Sequence, residues 1–121
     1  VAIRMQTHAE KEGFVMVRQY VGHGIGQEMH ELPQVPNYVD DEIRSNSDFR
    51  IEPGLVLAVE PMLNMGLSDV EVAKDRWTVL TRDGMPSVHV EHTIAMTNNG
   101  IVILTVPEGD PRGEIVFPAE G

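Results

Sequence analysis

The residues with the greatest chemical potential are one histidine and two glutamates far apart along the chain: His30 in "QEMHELPQ", Glu60 in "LVLAVEPML" and Glu91 in "VHVEHTIAM". Each glutamate interrupts a run of apolar strand formers. An ionised carboxylate withdrawn from water without a partner costs several kcal/mol, so something has to offset its desolvation. A divalent cation would do so, and one imidazole with carboxylates is a ligand set used for Zn, Mn, Fe and Co. A solvated face, or a partner arginine or lysine, is the commoner fate of a strand glutamate, and local pattern leaves that alternative open. Of the remaining side chains, His8 reads as a solvated helix residue. His23, His89 and His92 read as hydrogen-bonded structural histidines, and Trp77, on composition, as core packing.

His30 lies in the run "GHGIGQEMHELPQVPNY", residues 22–38, which invites two other chemistries. Gly22, Gly24 and Gly26 after a strand suggest a dinucleotide loop. That motif needs a helix N-terminus to hold the pyrophosphate, and Pro33 and Pro36 deny it one. "HELPQ" begins like the zinc-protease helix His-Glu-x-x-His, whose histidines meet one metal because four residues make about one helical turn. Gln34 stands where the second histidine is required, and Pro33 falls inside the would-be helix. Alternating glycines suit an extended strand with a neighbour pressed close against it, a backbone or a substrate.

The elements that must position these residues follow from local pattern. In "VAIRMQTHAEKEGF", Ala2, Met5 and Ala9 recur at near-helical spacing, and Gly13 occupies the place of a left-handed cap, which predicts a helix ending at about Glu12. "FVMVRQYV" predicts a strand. Residues 29–50, with Pro33, Pro36 and "DDEIRSNSDFR", predict a loop. A Pro-Gly turn then leads into a strand over Leu55 to Met62, with Val56, Ala58, Glu60 and Met62 on one face. "VEVA", "RWTVLT", "VHVEHTIAMT" and "IVILT", separated by turn signals, predict an antiparallel meander in which His89, Glu91, Thr93 and Ala95 share a face. The tail "PEGDPRGEIVFPAEG" predicts no regular structure.

Bulk properties narrow the function. At 121 residues with 41% hydrophobic content the chain can bury one modest core. A formal charge of -10, from 9 basic and 19 acidic residues, argues against nucleic-acid or anionic-membrane surfaces, which need clustered Lys and Arg. Cys is absent, which excludes disulfides, a thiolate nucleophile and Cys-type zinc sites and favours a cytoplasmic setting. No apolar run approaches the roughly 18 to 20 residues that span a bilayer, and the N-terminal segment is too charged for a signal peptide. The opening helix has no Ser, Thr, Asp or Asn to cap it, so the sequence reads as a fragment of a longer chain.

Together, "GHGIGQEMHELPQVPNY", "IEPGLVLAVEPMLN", "RWTVLTRDG" and "VEHTIAMTNNG" resemble, in order and spacing, the C-terminal half of bacterial type I methionine aminopeptidases. The first run is shared across the pita-bread metallopeptidases, including proline-specific aminopeptidases and creatinase; "VEPMLN" and the Trp-Thr-Val run point to the methionine enzymes. The resemblance implies an α+β fold, the second half of a pita-bread domain with a helix on a curved, mostly antiparallel sheet. Residues 1–105 would form that half of the catalytic domain and 106–121 an irregular tail.

It further implies two divalent metals (Co, Mn, Fe or Zn) held by His30, Glu60 and Glu91 together with two aspartates from a half not represented here. Glu91 would bridge the metals and Glu60 would also shuttle a proton; His30 would keep a fixed tautomer. The implied reaction removes the initiator methionine from a nascent polypeptide, with water as nucleophile, in a monomeric cytoplasmic enzyme near the ribosome. Alone, these 121 residues are expected to be inactive. Trp77 aligns with an aromatic residue near the methionine pocket. Asn37 replaces a substrate-contacting histidine; it can still donate a hydrogen bond but cannot carry a proton charge. A proline-specific or creatinase-like enzyme and a non-catalytic binding module are the alternatives.

Overall fold

The computed structural model describes residues 1–39 and 48–114. Helix α1 (Ala2–Lys11) is followed by ten strands: β1 (Val15–Met16), β2 (Gly22–Gly24), β3 (Glu31–Val35), β4 (Val56–Val59), β5 (Met62–Asn64), β6 (Val70–Val72), β7 (Val79–Thr81), β8 (Ser87–His89), β9 (His92–Thr97) and β10 (Gly100–Ile103). A 3-10 turn at Pro111–Glu114 ends the described chain. The loop expected over 40–47 and the tail beyond 114 lie outside the described residues.

Helix α1 ends where the glycine signal placed it: Glu12 is the C-cap and Gly13 adopts φ 83, a left-handed conformation that costs glycine nothing. Ala9 is the helix's buried residue, and Gln6 Oε1 accepts from the Val39 amide at 2.7 Å, tying the helix to the far end of the histidine-containing run.

All strand pairings among the described residues are antiparallel. The largest sheet has the order β10-β9-β4-β2-β3, with a second of order β1-β5-β8 and a two-stranded β6-β7 hairpin. The expected meander therefore holds only in part. Strand β8 pairs with β5 rather than with β7, and the β6-β7 hairpin stands apart. The strand expected from "FVMVRQYV" shrinks to Val15–Met16.

Two further expectations are corrected. Glu31–Val35, expected as loop, is strand β3; it lies at the sheet edge, where the missing N–H of Pro33 removes no ladder bond that the sheet requires. The single strand expected over Leu55 to Met62 is broken at Glu60-Pro61, because Pro61 donates no hydrogen bond, and "VHVEHTIAMT" is broken opposite it at Val90-Glu91.

The core is small. Val35, Leu57 and Met96 are buried together, with Phe49, Leu55, Val59, Ile94 and Ile101 packed against them. Leu57 and Ala58 of β4, the central strand, are among the most buried residues. Gly22 and Gly24 lie close against neighbouring backbone: a Cβ on Gly22 would collide with the Ala58 carbonyl of β4, and one on Gly24 with the Leu32 carbonyl of β3. The near neighbour that the glycine pattern called for is thus the protein's own backbone.

Candidate metal centre

The two chain breaks coincide, and the site is built there. Strand β4 pairs with β9, matching Val59 with His92, and β5 pairs with β8, matching Met62 with His89. The register runs through the interruption unchanged, so Glu60 lies directly opposite Glu91. The Val90 amide donates to the Pro61 carbonyl at 3.3 Å and keeps the two segments together. Like charges on opposing strand residues destabilise a sheet.

Glu60 is bracketed by two imidazoles. His23 Nε2 lies 3.5 Å from Glu60 Oε1, and His89 Nε2 lies 3.4 Å from Glu60 Oε2. One donor atom from each of Glu60, His89 and Glu91 falls within 4.8 Å of the others. Donors around a single ion at about 2.0–2.2 Å are themselves about 3–4 Å apart, so small side-chain rotations bring this set into coordination range and it fits a divalent cation.

The His23 Nδ1 is 2.9 Å from the Gly24 carbonyl, which only accepts, so the tautomer that makes this hydrogen bond carries its proton on Nδ1. In the neutral ring Nε2 is therefore a bare lone pair aimed at a carboxylate oxygen, a position satisfied by a proton or a cation between them.

Burial pushes the Glu60 carboxyl above its ordinary value of 4.5, and the facing Glu91 charge pushes it the same way, against the opposing pull of His23, His89 and His30. The fold therefore holds this proton more tightly than the unfolded chain does. The contribution of Glu60 to the stability of the metal-free chain should be fully present below the ordinary glutamate range and be lost as pH rises through the raised value. Denaturant midpoints in chelator at several pH values from about 4 to 7 measure this slope, and Glu60→Gln should flatten it. An unchanged slope in that variant would place the effect elsewhere.

The sequence profile that describes metallopeptidase family M24 matches residues 1–98. The chain belongs to this family. The methionine aminopeptidase 1 of Bacillus subtilis (strain 168) is 50% identical over 101 residues, covering 84% of this chain and 39% of the relative. The methionine aminopeptidase of Salmonella typhimurium is 44% identical over 116 residues, covering 96% and 42% respectively. The crystal structure of the methionine aminopeptidase from Thermotoga maritima superposes with a TM-score of 0.76 at 44% identity, covering 85% of this chain and 40% of that one. The M24 chain thus has the α+β pita-bread fold of these structures and spans about two-fifths of the length of the curated relatives it matches.

Of the M24 residues singled out from sequence, the structure brings Glu60 and Glu91 together directly. His30 sits beside them rather than between them. It is exposed, and its ring centroid is 4.2 Å from that of His23. Asn37 is fully buried; its Nδ2 donates to the Glu60 carbonyl at 3.1 Å, and its Oδ1 has no partner among the described residues. It therefore fixes the backbone that carries Glu60.

Trp77, read on composition as core, is 88% exposed at the tip of the β6-β7 hairpin. The Asp75 carboxylate orders that tip by accepting from the amides of Trp77 and Thr78, both at 2.9 Å. Among the described residues, sequence reasoning passed over His89 and His23 as site residues. The signal for His89 was present, because it shares a strand face with Glu91. The signal for His23 was not, because its approach to Glu60 depends on the β2-β4 pairing of His23 with Ala58.

A cavity of about 400 Å³ adjoins the centre, with Glu60 and His89 in its wall and Val17, Tyr20, Met62 and Val79 providing apolar lining.

Proposed function

We propose that this chain is the metal-binding part of a methionyl aminopeptidase, which hydrolyses the N-terminal methionine from nascent polypeptides. The observation that carries the reading is the placement of Glu60 opposite Glu91 at paired strand breaks, in a chain whose reported relatives are methionine aminopeptidases. Residues 1–105 form the catalytic segment and 106–121 an appendage. His30, Glu60 and Glu91 would be the ligands contributed here to two ions drawn from Co, Mn, Fe and Zn, with Glu91 shared by both, and two aspartates would come from outside these residues. Ions bound there would supply an activated water near neutral pH and polarise the scissile carbonyl.

The roles of the chain's own groups follow from their surroundings. Glu60, with its raised pKa, is suited to accept a proton and return it to the leaving amine. Asn37, buried behind Glu60, serves substrate binding by holding Glu60 in register, and Trp77 faces the substrate side of the complete enzyme. The apolar cavity beside Glu60 suits an unbranched apolar side chain such as methionine. Exposed Met29 and Leu32 belong to surfaces that the rest of the complete enzyme would cover. The complete enzyme acts as a cytoplasmic monomer close to the ribosome.

Hydrolysis of Met-Ala-Ser with Co or Mn added tests this reading. Activity is expected in a protein that joins this chain to an aspartate-bearing segment, and none from the 121-residue chain alone. A joined protein that binds two ions and leaves the peptide intact would defeat it.

A further inference from the structure

We propose that His89 is itself a metal ligand: with Glu60 and Glu91 it forms a three-donor site that holds one divalent transition ion using residues of this chain alone. The inference rests on the metal assignment of Glu60 and Glu91 made above and goes beyond it, since His89 is not among the ligands assigned there. Three observations carry it. The donor atoms of Glu60, His89 and Glu91 all lie within 4.8 Å of one another, and His30 is not in that group. His89 Nε2 already points at Glu60 Oε2 from 3.4 Å.

The third observation is how strand pairing delivers the three groups. Glu60 and Glu91 are directly opposed, and His89 precedes Glu91 by two residues, so it leaves the same face of its strand at the diagonal position that long side chains can span. His89 is half-exposed, so its ring can rotate onto an ion without disturbing the core. An imidazole beside two carboxylates selects Zn, Co, Mn or Fe over Mg or Ca, which prefer oxygen donors.

The absence of cysteine gives a clean test. The metal-free 121-residue chain is titrated with cobalt by calorimetry and by absorption spectroscopy, alongside His89→Gln, His89→Cys, His30→Gln and Glu91→Gln, each checked for native circular dichroism. One cobalt per unmodified chain is expected. His89→Gln should weaken binding at least tenfold, because even partners of ligands typically cost about 10–100-fold when removed. His89→Cys should retain cobalt and acquire a thiolate-to-cobalt charge-transfer band in the near ultraviolet, which a merely structural role would not produce.

Cobalt bound by His89→Cys without that band, or undiminished affinity in His89→Gln, overturns the proposal. So does an unmodified chain that binds no ion. If the His89 variants behave as the unmodified chain while Glu91→Gln loses cobalt, His89 falls and the carboxylate ligands stand. If Glu91→Gln also binds normally, the carboxylate assignment falls with it.

Discussion

On the proposed function, replacing Glu91 by glutamine in the complete protein is expected to empty the centre and reduce Met-Ala-Ser hydrolysis by about a thousandfold or more, corresponding to roughly 4 kcal/mol of lost transition-state stabilisation. Glutamine matches glutamate in shape, so the change removes charge and little else. A neutral amide oxygen cannot compensate the charge of a divalent ion, whereas a carboxylate opposite Glu60 can.

The variant should show a second effect of opposite sign in the metal-free chain. Glu91 is one cause of the raised Glu60 pKa, so its neutralisation relieves a like-charge pair, and stability near neutral pH should hold or rise. Lost metal with retained or improved stability separates a ligand from a structural residue. Metal content after dialysis and the denaturant midpoint are the two measurements, and a variant that keeps both metal and turnover would refute the assignment.

Gly22→Ala is expected to have the largest effect on the fold. Its Cβ would be driven into the Ala58 carbonyl, with Val35 Cβ 3.1 Å away, and neither backbone nor a buried side chain can retreat. Overpacking of this kind costs about 3 kcal/mol, a large share of the stability of a chain this size. Because β2 carries His23 against Glu60, metal affinity should fall along with the unfolding midpoint. Gly26→Ala is the control: its Cβ would meet the Glu31 carboxylate, the end of a flexible side chain, and should cost less than about 1 kcal/mol. Equal midpoints for the two variants would show that the close approach of β2 to β4 does not constrain the fold.

Neighbouring side chains differ in how legible they were. The helix and its end at Glu12 are local events, governed by residue spacing and the conformational freedom of Gly13, so both were readable from the chain. Trp77 shows the limit of composition. A large aromatic usually buries, but the Asp75-ordered turn holds this one outward, and only strand pairing reveals that its hairpin stands apart from the main sheets. Strand β3 was hidden for a similar reason, because proline is excluded from central strands and tolerated at edges, and edge position is not a local property.

By itself, the sequence determined that Glu60 interrupts an apolar strand and so needs compensation, a need that exposed Glu91 does not share, that the glycines require a close neighbour, and that Pro61 disturbs any strand crossing it. Those are consequences of solvation and covalent geometry, which act within a few residues. Which groups meet was decided by the tertiary structure alone. The register that sets Glu60 opposite Glu91, the diagonal that brings in His89 and the β2-β4 contact that turns His23 toward the carboxylate all depend on hydrogen-bond pairing between segments more than 20 residues apart. A one-residue slip in that pairing would send each of these side chains to the opposite face, so no local pattern can encode their convergence.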